Sequence, residues 1–276
     1  MISQRQKDIL WAVIEEHTKM AEPVSSKSLS QKSGFDIGAP MIRKEMNQLE
    51  KEGYLSSPHT SAGRIPTDKA YRLYIQENMV EKSTLNTSAT GLTQKETQKV
   101  KESLKKNWPD EQSLLKEISK LTSELSRELS VTGTTDGGNT YSFGFSNLFD
   151  EPEFKSFENM NQLMTFMDNM DSCFEGLWNP VRSSRAAVHR TRDEIASATS
   201  NGVEEMIQVF IGSENPIKEI NEFTLITGKY QLPEGEPFDS TQGKQGFVSI
   251  IGPKRMDYKH NMALVEYISE LLNQKH

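Results

Sequence analysis

Cysteine occurs once in these 276 residues, at position 173. A single thiol closes no intrachain disulfide, and that scarcity fits a reducing compartment. Long apolar runs are missing too. The stretch Ile9 to Ile14 is far shorter than the ~20 residues a membrane-spanning helix needs. Met1 leads straight into the polar run Ser3-Gln4-Arg5-Gln6-Lys7-Asp8, which is no secretory leader, so the expected location is the cytoplasm. Five histidines stand at no ligand spacing, which leaves His59 without partners for a metal. No Gly-x-Ser-x-Gly elbow occurs, and Gly252-Pro253-Lys254-Arg255 lacks the spacing of a phosphate-binding P-loop. With no catalytic constellation, metal set or cofactor motif, the chain does not read as an enzyme.

The charge balance of −7 argues at first against a polyanionic partner, but it is unevenly spread. Residues 1–75 hold 11 Lys/Arg and 9 Asp/Glu, while the rest hold 21 and 30. A slightly basic head on an acidic body suits a nucleic-acid reader joined to a regulatory domain.

The head reads as three helices and a hairpin. Ser3 and Gln6 have capping-box spacing, and Ile9, Leu10, Val13 and Ile14 follow at helical intervals. Glu22-Pro23 breaks the chain. Ser25 then caps a second helix running from Lys27 to Ser33, with Val24 and Leu29 placed as a hydrophobic staple and Gly34 as its stop. A third helix opens near Gly38-Ala39-Pro40 and closes at Gly53. Its core face is Ile42, Met46 and Leu49. Lys44, Asn47 and Lys51 point away from that face, flanked by Arg43 and Gln48. A charged outer face is most often only solvated. Its place as third in a series of short helices, followed by a hairpin, turns the reading toward duplex DNA: cations suit phosphates, and the amides suit base edges in a major groove. The hairpin runs from Tyr54 to Pro66, with Gly63 near its tip and Arg64 placed to enter a minor groove. Pro66 and Thr67 then open a helix bearing Tyr71, Tyr74 and Ile75.

The candidate contact set is therefore Ser25, Ser26 and Lys27, then Met41, Arg43, Lys44, Asn47, Gln48 and Lys51, then His59, Thr60, Ser61 and Arg64. Arg43, Asn47 and Gln48 are assigned to bases, Lys27, Lys44 and Lys51 to phosphates, and Arg64 to the hairpin contact.

Two groups of motifs carry a family resemblance. Glu22-Pro23-Val24-Ser25-Ser26-Lys27, Gly53-Tyr54-Leu55 and the long string from Pro58 to Asp68 stand at one end. Gly144-Phe145-Ser146-Asn147-Leu148, Glu151-Pro152-Glu153-Phe154, Ile211-Gly212-Ser213-Glu214-Asn215-Pro216 and Gly252-Pro253-Lys254-Arg255-Met256-Asp257-Tyr258 stand at the other. Together they resemble the heat-inducible repressor family HrcA, here as a shortened member. The resemblance implies an α+β chain: an N-terminal winged helix-turn-helix, then a GAF-like α/β domain. It also implies a cytoplasmic homodimer on an inverted-repeat operator in double-stranded DNA ahead of chaperone operons, repression released on stress, and a chaperonin as a further partner. Neither a cofactor nor a membrane is implied. Where the family begins its third helix Ser-Pro-Ala-Thr-Ile-Arg-Asn, this chain has Gly38 to Lys44, with a weaker cap and a lysine in place of an amide.

The resulting division is a head at 1–81, a polar linker at 82–91 and a body at 92–276. The body is expected to be two helices parted by Trp108-Pro109, one long helix from Phe157 to about Trp178, strands at 206–211, 223–231 and 246–251, and a final helix after Asp257. Extra loops are expected near 179–202 and 237–246. The interval from Leu129 to Phe145 is too short for the family's dimerisation insert, and Gly133 to Asn139 reads as the turn-rich site of the deletion. The apolar stripe Leu114, Leu115, Ile118, Leu121, Leu125 and Leu129 is then the candidate substitute dimer contact, although such stripes are more often core. Cys173 reads as a packed thiol. Two other readings remain open: a ligand sensor with a pocket in the body, and a chaperonin-docking interaction protein that binds DNA weakly and without sequence preference.

Overall fold

A computed structural model describes residues 2–32, 35–59, 63–85, 91–107, 110–178, 207–232 and 244–274, with side chains given for all of these except 32 and 78–85. The chain mixes helix and sheet and divides into two units: Met1–Asn86 with Lys254–Asp257, and Thr87–Pro253 with Tyr258–His276.

In the first unit, α1 (Gln4–Met20), α2 (Ser26–Lys32) and α3 (Ala39–Lys51) precede a two-stranded ribbon, β1 (Leu55–Ser56) and β2 (Ile65–Pro66), and α4 (Asp68–Leu85). Ser3 and Gln6 cap α1 reciprocally, Gln6 N–H donating to Ser3 Oγ and Ser3 N–H to Gln6 Oε1. Ser25 Oγ accepts from Ser28 N–H at the start of α2. Ile9, Leu10, Val13, Ile14, Val24, Leu29, Ile42, Met46 and Leu49 are all buried, in keeping with the periodicity. Trp11 meets Tyr74 edge to face at 5.2 Å, joining α1 to α4. The helix α4 continues to Leu85, so the first four positions of the expected linker are helical. Of its remainder, 86–90 lie outside the described residues, as does Gly34.

The second unit is built on one antiparallel five-stranded sheet of order β4-β3-β7-β6-β5. Its strands are β3 (Leu129–Thr134), β4 (Thr140–Phe143), β5 (Ile207–Ile211), β6 (Phe223–Gln231) and β7 (Gln245–Pro253). Helices α5 (Gln94–Asn107) and α6 (Glu111–Ser126) precede the sheet, with 108–109 outside the described residues. Then α7 (Phe145–Phe149), α8 (Phe157–Asp168) and α9 (Met170–Trp178) separate β4 from β5, and α10 (Tyr258–Asn273) ends the unit.

Alternation along the strands sends odd and even residues to opposite faces. Leu129, Val131, Phe223, Leu225, Phe247 and Ile251 share one face with Phe154, Leu163, Phe166, Cys173 and Phe174. Phe154 stacks on Phe223 at 4.7 Å and Phe174 on Phe247 at 4.6 Å. Ser130 and Thr132 turn to the other face, against α6. There Ser119 Oγ donates to the carbonyls of Ser130 and Tyr141, and Thr132 Oγ1 to that of Leu115.

Four expectations are corrected. The interval after Leu129 is a complete hairpin, Gly133 opposite Thr140, with only Thr135–Asn139 outside the strands. Small polar residues had hidden both strands. The proposed dimer stripe is mostly core of its own unit: Leu114, Leu115, Ile118 and Leu121 are buried on α6 and Leu129 opens β3, while Leu125 alone is half-buried, so the stripe offers little surface to a second copy. The expected helix from Phe157 to Trp178 is two helices broken at Asn169, whose amide donates to the carbonyl of Thr165. A side chain competing for the helix's own acceptors ends it there. Finally, 244–246 of the expected second loop lie at or within the start of β7; 233–243, and the other expected loop with Arg182, Arg185, His189, Arg190 and Arg192, lie outside the described residues.

Cys173 is fully buried, and burial, followed by the charge of Glu219, pushes its thiol up to about 12. The folded chain is expected to resist iodoacetamide at pH 8, where about one thiol in ten thousand is ionised, and to label fully in urea; rapid labelling without denaturant would contradict this packing. Ile118→Ala, which empties a site between α6 and the sheet, is expected to cost about 2–5 kcal/mol in a urea melt.

Candidate nucleic-acid interface

The helix α3 begins at Gly38, which supplies no side-chain cap, and tolerates Pro40 because first-turn amides have no partner within the helix. It ends where Gly53 takes φ +79°, a conformation glycine adopts without strain. Thirteen residues make it about 20 Å long. With Ile42, Met46 and Leu49 turned into the core, Met41, Arg43, Lys44, Asn47, Gln48 and Lys51 are all exposed. Ser25, Lys27 and His59 are exposed as well. Ser26 is not: only 6% of its surface is accessible, so it stands apart from the other candidates. Thr60 and Ser61 lie outside the described residues.

The carboxylates of α3 would oppose a phosphate backbone, yet each has a partner within the unit. Glu45 accepts from Gln6 Nε2 at 3.1 Å, and Glu52 from Gln48 Nε2 at 2.8 Å. Glu50 pairs with Arg64 at 2.9 Å. Among the described residues only the Glu50 charge is met by a cation; what favours the cations on the outer face is exposure, since Arg43, Lys44 and Lys51 are exposed while Glu45, Glu50 and Glu52 are half-buried.

The ribbon is tied to the start of α2 by the backbone. Val24 N–H donates to Arg64 O at 2.9 Å and Arg64 N–H to Val24 O at 2.8 Å. Gly63 makes this approach possible, since a Cβ there would lie 2.4 Å from the Val24 carbonyl oxygen. At the other end of the ribbon, Thr67 Oγ1 donates to the carbonyl of Gly53, and Lys69 reaches the carbonyl of Glu52 while lying over the Tyr54 ring. Helix and ribbon are thus held as one surface.

Arg64 does not project from the hairpin as the sequence suggested. Its guanidinium folds back onto α3, donating to Glu50, to Asn47 Oδ1 at 2.9 Å and to Ser57 Oγ at 3.4 Å, with Nε buried. Glu50 and Ser57 had escaped sequence reasoning because partners 14 and 7 positions from Arg64, in no element shared with it, carry no periodic signal. Among the described residues no group of three or more His, Cys, Asp or Glu side chains gathers as a metal site, and no helix is long and apolar enough to cross a membrane.

Comparison with known proteins decides the family. The model described as "HrcA protein C terminal domain" matches residues 71–262. The chain belongs to the HrcA family. A relative from Desulfitobacterium hafniense, named heat-inducible transcription repressor HrcA, is 24% identical over 358 aligned positions covering 99% of this chain and 97% of the relative. Because those positions outnumber the 276 residues, that HrcA carries segments with no counterpart here. An HrcA of the same description from Geobacter sulfurreducens is 53% identical over 74 residues, 27% of this chain and 22% of its own. This is a family of transcription repressors, not of enzymes. A crystal structure titled as a hypothetical protein superposes with a TM-score of 0.63 at 19% identity, covering 99% of this chain and 97% of that one, and shares the fold.

Gly63→Ala forces a side chain into the Val24 backbone and is expected to separate the ribbon from α2. The predicted result is a Tm several degrees below the parent, read by circular dichroism; an unchanged melt would show that the Val24–Arg64 bridge is dispensable.

Proposed function

We propose that this HrcA-family chain is a sequence-specific DNA-binding repressor of heat-shock and chaperone operons. Its first unit acts as a winged helix-turn-helix with α3 in the major groove, and its second as a GAF-like regulatory domain. The observation that carries this reading is the outer face of α3: Met41, Arg43, Lys44, Asn47, Gln48 and Lys51 are exposed together on a helix whose opposite side is locked in the core. An α-helix of ordinary diameter fits the major groove, and cations beside amides are the groups that hold phosphates and read base edges there. The relatives' name supplies the repressor role.

In this assignment Arg43, Asn47 and Gln48 face bases. Lys27, Lys44 and Lys51 face phosphates, and Ser25, His59, Thr60 and Ser61 border the duplex. The operator is an inverted repeat, and a homodimer places one head on each half-site. Repression is released on stress, with a chaperonin as the accessory partner, in the cytoplasm. Since the α6 stripe is mostly internal, the contact between copies lies elsewhere.

The test is fluorescence anisotropy with three labelled duplexes, the inverted repeat, one half-site and a scrambled sequence, over a range of salt. The full repeat is expected to bind most tightly. Arg43→Ala should remove about 1–3 kcal/mol of preference for it. Lys51→Ala should weaken all three duplexes alike and flatten the salt slope by about one. Equal weak binding to all three by the parent would refute the sequence-specific reading.

A further inference from the structure

We infer that Arg64 is a positioning residue that sets which base Asn47 reads, rather than a contact to the groove itself. This rests on the DNA-reading function proposed above.

The geometry is a closed clasp at the crease between α3 and the ribbon. Arg64 Nη2 lies 2.9 Å from Glu50 Oε2 and 2.9 Å from Asn47 Oδ1, and Nη1 lies 3.4 Å from Ser57 Oγ. The Arg64 side chain keeps only 19% of its surface accessible, and its charge is met by Glu50. A cation neutralised and enclosed in this way has little left to offer a phosphate.

What the clasp does is orient an amide. A guanidinium has five donors and no acceptor, so the atom that Asn47 turns toward it must be the carbonyl oxygen. The Nδ2 donors are then the part of the amide that the guanidinium does not engage, on a residue that is exposed. A free asparagine recognises adenine by accepting from N6 and donating to N7 with both ends of its amide at once. Held by Arg64, Asn47 has its oxygen already engaged by one donor while its Nδ2 donors stay available, so donation dominates what it offers a base. Guanine offers two acceptors on its major-groove edge, N7 and O6, whereas adenine places a donor beside its one acceptor. The clasp therefore favours guanine over adenine at the base Asn47 faces.

The test uses the complete 276-residue chain and a pool of randomised duplexes. Binding sites are selected with the parent, then all four base pairs at each selected position are compared by competition anisotropy. Asn47→Ala identifies the position that Asn47 faces, as the one whose preference it abolishes. At that position the parent should prefer guanine, and Arg64→Met should move the preference toward adenine by about tenfold, the worth of one good base contact. The salt slope should stay at the parent's value. In the double variant, that position should behave as in Asn47→Ala alone, because Arg64 acts through Asn47. A slope lowered by about one in Arg64→Met would place the guanidinium on a phosphate and overturn the inference, as would additive effects in the double variant. If a thermal melt shows Arg64→Met unfolded, Glu50→Gln takes its place: it loosens the same clasp with no loss of volume and must move the same base in the same direction. A folded Glu50→Gln chain with the parent's preference also overturns the clasp. A parent that selects no sequence refutes the DNA-reading function and this inference with it, whereas a parent that selects a site the variants leave unchanged refutes the clasp alone.

Discussion

Two backbone hydrogen bonds between Val24 and Arg64 hold the first unit's surface together. They add the chain just before α2 to the edge of the ribbon, and they require Gly63 because the two backbones approach too closely for a side chain. A two-residue ribbon has almost no stability of its own. Pinned to Val24 at one end and to the end of α3 through Thr67 and Lys69 at the other, it becomes a rigid flank of the helix beside it. The placement of Arg64 against Asn47 and Glu50 depends on that rigidity.

Electrostatics in this unit are arranged by exposure rather than by composition. A chain of charge −7 still exposes Arg43, Lys44 and Lys51 on α3, while its glutamates are half-buried: Glu50 is paired with Arg64, and Glu45 and Glu52, the latter just past the helix, accept from the neutral amides of Gln6 and Gln48. None of these pairs contributes much stability in partial contact with water. Their effect is on the field that an approaching polyanion meets, where Arg43, Lys44 and Lys51 are left without an equal count of opposing charges on the same face.

The second unit obeys a different constraint. A five-stranded sheet with apolar residues on both sides must be covered on both, and α6 is one of its covers. The helix carries Ser119 and Ser123 beside Leu115 and Ile118, and the hydroxyls donate to carbonyls of Ser130, Tyr141 and Glu128. Satisfied hydroxyls are admissible in a core, so the helix packs without leaving an apolar stripe for a partner.

The sequence by itself determined the local structure of the head: its helices, the cap at Ser3, the stop at Gly53 and the buried and exposed sides of α3. Those follow from period and capping, which act within a few residues. It also determined the family, through motifs at both ends of the chain. Only the tertiary structure decided where Arg64 and Ser26 face, that Leu129 to Phe143 forms a hairpin, that Asn169 divides a helix and that the α6 stripe is mostly internal. Each of these depends on residues far apart in the chain, or on one side chain's choice of acceptor, and neither leaves a periodic trace. An arginine beside a glycine looks the same in a sequence whether it reaches outward or folds back. The carboxylate and amide that claim it, 14 and 17 positions away, become its neighbours only when the ribbon closes on the helix.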